Sequence, residues 1–256
     1  MKVRIQGMLA TSAAAAALIA SAGIAQADGM PGGPAFYDTR PALWTGIYVG
    51  GESGWNEDNY HVNFTDFGTH AGSTKDGVNV GLFLGAQYQF GSIVVGAEAN
   101  LIGNEFDFAD NKAVVNGNGN CPNPTLNCVG RVTDVFTIGP RIGFAIGNWM
   151  PYATGGYASG SVNFRAINAA GVATEWADNR QDGYYIGGGL DWKVSHHVIV
   201  GIEYRHTDLG TGPTQFDFNP VTGANVEHVQ QRAESDSVML RGSLIFNPIY
   251  GPAPLK

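Results

Sequence analysis

Two cysteines are the first residues whose spacing could do chemistry. Cys121 and Cys128 stand in the segment CPNPTLNC and are the only cysteines of the chain. An oxidising cell envelope would favour a disulfide that closes this short loop, and loop-closure entropy predicts a stabilisation of about 2–3 kcal/mol. A metal site would need further ligands, and none is near in the sequence. We therefore predict a Cys121–Cys128 disulfide and no metal.

The histidines are weaker candidates for ligands. His196 and His197 are adjacent, so in an extended chain their side chains point to opposite faces and cannot chelate one ion together. A turn would relax that restriction. His61, His70 and His228 fall in predicted external loops, where haem or metal capture is an alternative to simple solvation. We predict no resident cofactor.

A lipid hydrolase would need Ser and His side chains together on the outer rim of the membrane. In an extended strand, alternate residues point to opposite faces. By this alternation His206 falls on the lipid-facing side, whereas Ser237, on the strand predicted to lie beside it, falls on the side that faces the barrel interior. The chain also lacks a G-x-S-x-G elbow, a P-loop and a dinucleotide fingerprint. We predict that the protein is not an enzyme.

The first 27 residues predict export from a bacterial cytoplasm. Lys2 and Arg4 precede an apolar stretch that ends in Ala25-Gln26-Ala27, which is the pattern of a signal peptide cleaved before Asp28. Cleavage leaves 12 basic and 22 acidic residues, a net charge of −10, which argues against nucleic acid as a partner. Four regions are predicted: a signal peptide (1–27), a periplasmic leader (28–43), a barrel (44–247) and a short tail (248–256).

The composition favours a membrane protein built of strands. Charged residues make up 14% of the chain, against roughly 25% in soluble domains. The 37 glycines are about twice the usual share of roughly 7%. No apolar run reaches the length of a transmembrane helix. Because only helices and closed barrels satisfy all backbone groups in lipid, the remaining solution is a β-barrel.

Alternation with a period of two residues places the strands. In residues 78–90, VNVGLFLGAQYQF, alternate positions form an apolar string, as expected of a strand with one apolar face. Short and long polar links alternate strictly between such segments, which is typical of periplasmic turns and external loops. We predict an all-β fold, an eight-stranded antiparallel transmembrane up-and-down β-barrel. Its strands are expected near 45–56, 77–90, 92–104, 131–147, 149–164, 183–194, 197–208 and 237–247.

Parity then separates a lipid face from a lumen face. Arginine at the middle of a bilayer would cost about 2–4 kcal/mol, whereas inward charges of opposite sign can pair. We therefore predict a charge network in a plugged lumen, since eight strands leave room only for side chains. Its members are Glu52, Glu98, Arg141, Asp191, Lys193, Glu203, Arg205 and Arg241.

Aromatic residues are expected in two girdles at the membrane surfaces. At the short-turn end we place Trp44, Tyr88, Phe90, Trp149, Tyr152, Trp192 and Phe246, and at the long-loop end Phe164, Tyr184 and Tyr204. Pro140 falls on the lipid-facing string in the middle of a strand. Because proline cannot donate to the ladder, a bulge is expected there.

Several stretches, among them WTGIYVGG (44–51), GAQYQFGSIVVGAEANL (85–101) and VMLRGSLIF (238–246), resemble the small outer-membrane barrels of alphaproteobacteria. These porin-like, immunogenic surface proteins belong with the OmpA-like barrels. The resemblance implies an outer-membrane location and a role in envelope integrity or surface contact, and some relatives bind haem. Members usually end on an aromatic residue that the assembly machinery reads, whereas here Phe246 is followed by NPIYGPAPLK.

The resulting hypothesis is a structural outer-membrane protein of a Gram-negative bacterium. It would support envelope integrity and display four external loops. Its expected partners are outer-membrane lipid and lipopolysaccharide, the outer-membrane assembly machinery, and host or phage surfaces. A narrow porin-like channel is the alternative, and loop-based haem binding is a weaker one.

Overall fold

The computed structural model describes residues 44–66, 68–103, 126–168, 172–219 and 224–246, and nearly all of them are extended. The predicted signal peptide, the leader and the tail at 248–256 lie outside the described residues. The strands are β1 (Gly46–Phe64), β2 (Thr69–Phe90), β3 (Ile93–Gly103), β4 (Leu126–Phe144), β5 (Trp149–Asn168), β6 (Ala173–Lys193), β7 (Val198–Thr211), β8 (Gln215–Asn219) and β9 (Ala224–Phe246). In the part of the chain that is described, no helix is long and apolar enough to cross a membrane.

The strands form one closed antiparallel barrel. Each strand from β1 to β6 pairs with the next along the chain, β7 pairs with β9, and β9 pairs with β1 to close the sheet. The short β8 pairs with the same two neighbours, β6 and β9, and therefore continues β7 after a break at residues 212–214. The barrel thus has eight strand positions, and the prediction of an eight-stranded antiparallel barrel is confirmed.

Most strands are longer than the sequence predicted, and the extra length lies at the long-loop end. β1 has 19 residues, β6 has 21 and β9 has 23, whereas about 9–11 residues cross a bilayer. On β1 the outward apolar series ends at Trp55, but Val62 and Phe64 continue inward and are buried. The strands therefore extend beyond the outward apolar band as a wall that is polar outside and apolar inside.

The short turns use glycine where the backbone requires it. Gly91 and Gly147 both have a φ of 60°, a left-handed conformation that glycine adopts without steric cost. These residues turn β2 into β3 and β4 into β5. The two turns therefore fix the register of their hairpins at the short-turn end.

The bulge expected at Pro140 is not there. Pairing of β4 with β5 has the same register before Pro140 (Ile138 with Tyr157) and after it (Arg141 with Thr154), and the shift lies instead between Val132 and Val135. On its other side Pro140 lies opposite Ala97 of β3. A proline lacks one donor, and in an antiparallel ladder each residue bonds only one of its two neighbours. The strand can therefore pass this position without an extra residue.

Candidate functional site: the barrel interior

All eight charged residues assigned to the lumen by parity are buried inside the barrel. They come from six strands, and none exposes more than 6% of its surface. Four are acidic and four are basic, so the interior charges balance. The members are Glu52, Glu98, Arg141, Asp191, Lys193, Glu203, Arg205 and Arg241.

Arg241 is the hub of this network. Its Nε lies 3.2 Å from Glu52 Oε2 and its Nη2 lies 2.6 Å from Glu98 Oε1. Its Nη1 pairs with Glu203 and donates to the Tyr152 hydroxyl at 2.8 Å. The guanidinium also lies 4.0 Å from the centre of the Phe83 ring. One side chain of β9 thereby connects β1, β2, β3, β5 and β7.

Arg205 lies on the long-loop side of the network. It pairs with Glu203 at 2.5 Å and with Glu52 at 3.4 Å, and it donates to Asn100 Oδ1 at 3.3 Å. Glu52 and Glu203 therefore each contact both Arg205 and Arg241. Sharing the same carboxylates joins the two arginines into one cluster.

Arg141 connects the cluster to β6. Its Nη2 lies 2.5 Å from Asp191 Oδ2, and its Nη1 lies 3.5 Å from Glu98 Oε2. The Tyr48 hydroxyl, which accepts from Arg141 at 3.3 Å, donates to Glu98 at 2.9 Å. The Nζ of Lys193 lies 5.6 Å from the centre of the Trp44 ring.

Apolar layers cover the charged layer on both sides. Towards the short turns lie Trp44, Phe83 and Met150 with their buried neighbours. Towards the long loops lies a larger cluster that includes Phe64 and Phe164. Two cavities border the charged layer, of about 20 and 10 Å³, and each has room for about one water molecule.

The family of the chain follows from comparison with known proteins. The model for the outer membrane protein beta-barrel domain matches residues 12–226. The chain belongs to this family. Among its relatives, the 31 kDa outer-membrane immunogenic protein of Brucella melitensis is 27% identical over 80% of this chain and 85% of that protein. The 22 kDa outer membrane protein of Rhizobium leguminosarum is 28% identical over 66% of each.

The chain is also similar to two solved structures. Ail, the attachment invasion locus protein of Yersinia pestis, covers 79% of this chain and 99% of its own with a TM-score of 0.41 and 11% identity. The outer membrane protease OmpT from Escherichia coli covers 78% and 97% with a TM-score of 0.48 and 8% identity. The location of the chain in the outer membrane rests on the family and on the relatives named above.

The prediction of the aromatic girdles is wrong for three residues, because their side chains lie inside the barrel. Trp44 and Phe164 are fully buried, and Tyr152 is 7% exposed. Closeness to the strand ends predicts a girdle position for all three, but Tyr152 and Phe164 have inward parity and Trp44 precedes the first strand. The other girdle residues have exposed side chains: Tyr88, Phe90, Trp149, Trp192, Phe246, Tyr184 and Tyr204.

Sequence reasoning missed several interior residues that complete the network. Tyr48 and Tyr152 place their hydroxyls between charges, and Asn100 contacts Arg205 and Thr137. The alternation of the strands predicts that these side chains point inward. Because they are neutral, however, nothing in the sequence assigns them to a charge network. The Arg141 guanidinium lies 3.6 Å from the Tyr152 ring centre, a contact that parity alone does not predict.

The other residues singled out for chemistry are dispersed. Cys121 lies outside the described residues, and the side chain of Cys128, at the start of β4, is also outside them. His196 and His197 occupy the exposed turn between β6 and β7. Across the described ranges, no group of three His, Cys, Asp or Glu side chains could hold a metal ion.

The pair considered for acyl hydrolysis is separated by the barrel wall. His206 Nδ1 lies 2.9 Å from Asp236 Oδ1 on the outer face, and the same oxygen accepts from Tyr204 at 2.6 Å. Ser237 is buried and donates to the Arg205 carbonyl at 3.3 Å. The two side chains therefore lie on opposite faces of the sheet.

The predicted loop histidines lie on or beside strands. His61 and His70 belong to β1 and β2 and are exposed. His228 belongs to β9, and its backbone N–H donates to Asp66 Oδ2 at 2.9 Å. That hydrogen bond and those to the His228 side chain lower the pKa of Asp66. The contact joins the turn between β1 and β2 to the last strand.

Proposed function

We propose that this outer-membrane barrel is a closed structural protein without catalytic activity. It supports the integrity of the envelope and presents the outer ends of its strands, with four external loops, for surface contact. The observation that carries the proposal is the three-layered filling of the interior, in which a charged layer lies between two apolar clusters.

The layered interior opposes ion flow for two separate reasons. An ion that enters either apolar layer loses hydration without gaining a partner, which is costly in a low-dielectric interior. An ion that reaches the charged layer meets carboxylates and arginines that are already paired with each other. Opening a path would leave buried charges uncompensated, which costs several kcal/mol per broken pair.

Partners are proposed from the surfaces of the barrel. The outward apolar band contacts outer-membrane lipid, and lipopolysaccharide surrounds its external edge. The outer-membrane assembly machinery inserts the chain. The polar wall beyond the membrane, formed by the long strands, contacts host or phage surfaces together with the loops. Nucleic acid is not among the proposed partners.

Conductance of the refolded mature protein in a planar bilayer tests closure. We expect no current from a sample whose heat-shifted gel mobility shows a folded barrel. A known porin provides the positive control, and Leu244→Ala, a change on the lipid face, controls for mutagenesis. Steady salt-dependent current steps from the folded sample would contradict the proposal.

The alternative of a narrow channel makes a different prediction for the charged layer. Conduction would require the ion pairs to separate, so Arg141→Gln and Arg241→Gln should change any conductance that is seen. Current that both variants leave unchanged would not pass through this layer. Haem binding, the weaker alternative, is tested by spectral titration of the purified barrel, and absence of a bound spectrum excludes it.

A deletion strain tests the proposed role in the envelope. We expect increased sensitivity to detergent, restored by the wild-type gene. A wild-type sensitivity profile in the deletion strain would contradict the structural role even if the barrel proves closed.

A further inference from the structure

The outer face of β5 and β6 changes character where the apolar band ends. Tyr157 and Tyr184 lie opposite each other at this edge and are 45% and 53% exposed. The next outward pair, two residues further from the membrane, is Ser159 opposite Asp182. The outward pair after that is Ser161 opposite Arg180. Aromatic side chains at such an edge are typical of the headgroup level of an outer-membrane barrel.

Arg180 is held towards the membrane. Its Nε donates to Ser159 Oγ at 2.9 Å, and Ser159 is nearer the apolar band than Ser161, the residue opposite Arg180. This hydrogen bond uses one of the five guanidinium donors. The rest of the exposed guanidinium is therefore available at the level of the lipid headgroups.

Two other arginines on the outer wall, whose side chains the structure describes, are already paired with carboxylates. Arg165 pairs with Asp178, and Arg232 pairs with Asp208 and Glu234. Arg180 makes no ion pair with a carboxylate of the described residues. Asp182 interacts with Arg180 electrostatically at longer range, while its Oδ1 accepts a hydrogen bond from Tyr157 at 2.6 Å.

The level just beyond the apolar band carries carboxylates in two sectors of the barrel. Its outward residues are Glu57 on β1, Asp76 on β2 and Asp236 on β9, which lie opposite one another, and Asp182 on β6. These carboxylates repel an anionic headgroup, but in the sector of β5 and β6 the Arg180 guanidinium interacts electrostatically with Asp182. The attractive position for a phosphate is therefore the sector of β5 and β6, where a partly free guanidinium lies above two tyrosines.

We propose that Arg180 binds a phosphate group of lipopolysaccharide in the outer leaflet. A guanidinium matches phosphate with two parallel hydrogen bonds. Tyr157 and Tyr184 then pack against the adjoining sugar and the first acyl carbons, and the apolar band continues along the acyl chains. This inference deepens the proposed function, on which it rests, because it names the lipid contact and the residue that makes it.

Binding of lipopolysaccharide to the refolded barrel in detergent tests the assignment. We expect Arg180→Gln to weaken binding about tenfold, the loss of one charge-assisted contact, and dephosphorylated lipopolysaccharide to bind the wild-type barrel equally weakly. Arg165→Gln and Arg232→Gln are matched controls, and we expect less than about twofold change because these arginines are already paired. Equal binding by Arg180→Gln and wild type would overturn the proposal.

Two further arms identify the ligand. If millimolar inorganic phosphate displaces lipopolysaccharide, the site recognises a free anion and the assignment to a glycolipid is wrong. If a chelator abolishes binding and Asp182→Asn weakens it more than Arg180→Gln, a divalent cation on the carboxylate makes the contact and Arg180 does not. Bilayer conductance is measured on the same samples, so a failed lipid contact is separable from a failed closed-barrel function.

Discussion

Glu52 on β1 and Arg241 on β9 lie directly opposite each other across the seam that closes the barrel, and their side chains form an ion pair of 3.2 Å. A shift of one residue in this seam would turn Arg241 towards lipid, since successive side chains of a strand point to opposite faces. The pair therefore favours one register for closure. Buried ionic groups that specify a register are well attested.

Arg241→Ala should be among the most destabilising single changes in the barrel. It leaves the carboxylates of Glu52, Glu98 and Glu203 without a shared partner, and removing one member of a buried pair costs about 3–5 kcal/mol. Urea unfolding in detergent micelles measures the loss. Arg232→Ala, at an exposed position of the same strand, should change the free energy of unfolding by less than about 1 kcal/mol. Similar losses for both variants would contradict the role of Arg241 as hub.

Glu52→Gln should cost less than Arg241→Ala. Arg241 keeps Glu98 and Glu203, and Arg205 keeps Glu203, while the amide fills the same volume and leaves no cavity, whereas Arg241→Ala weakens three pairs at once and empties the space of a large side chain. We expect a loss of about 1–3 kcal/mol, the range for a weakened buried hydrogen bond. The same urea titration compares the two variants, and a larger loss for Glu52→Gln would show that Glu52 is the true centre.

Trp44 closes the short-turn end of the interior, and its loss should open that end. Its indole N–H donates to the Gly147 carbonyl at 3.3 Å, and its backbone carbonyl accepts from Gln87 at 2.7 Å. Trp44→Ala should lower the free energy of unfolding by about 3–5 kcal/mol. Trp149→Ala, on the exposed face, is the control with a smaller expected loss. Thermal unfolding followed by gel mobility distinguishes them.

Gly54→Ala should impair closure of the seam. A Cβ at this position would lie 2.0 Å from the Val238 carbonyl oxygen of β9, whereas a Cβ at Gly51 would lie 3.7 Å from its nearest atom. The strands must separate locally, at a cost of about 1–3 kcal/mol. Refolding yield by heat-shifted gel mobility is the measurement. Gly51→Ala should refold like the wild type, and an equal yield for Gly54→Ala would contradict the close approach.

The contact of Asp66 with His228 should loosen in acid. The hydrogen bonds from His228 lower the pKa of Asp66 from its ordinary value of 3.8. A carboxyl whose folded pKa is depressed stabilises the contact above its ordinary pKa, and the contribution is lost as pH falls through the folded value. Amide exchange protection of Thr65 and His228 should therefore fall as the pH drops below the ordinary carboxyl value of 3.8. Asp66→Asn should show low protection throughout, and unchanged wild-type protection would contradict the prediction.

The sequence by itself determined the barrel. The period-two alternation of residues such as Val80, Leu82 and Leu84 marks the strands, and the alternation of short and long links orders them. These are local signals, because a strand displays its two faces in consecutive residues. Parity also separated the charged positions from the lipid-facing ones, and the structure places those charges inside.

The sequence did not predict how far the strands extend at the long-loop end, and the reason is physical. Beyond Trp55 the apolar residues of β1 change from the outer to the inner face, and Tyr60, Val62 and Phe64 are buried. A polar outer face resembles a loop when only the lipid-facing string is followed. Closeness to a membrane edge is a poor guide to the face of a side chain: parity turns Tyr152 and Phe164 inward, and Trp44 lies before β1 and folds into the interior.

Only the tertiary structure decided which charge meets which. Arg205 and Glu52 are 153 positions apart, and Arg241 and Glu98 are 143 positions apart. Their contacts depend on the stagger of all the strands between them and on how the seam closes. The sequence of a strand determines which face each side chain occupies. Which partner that side chain meets across the lumen is determined only when the sheet closes into a barrel.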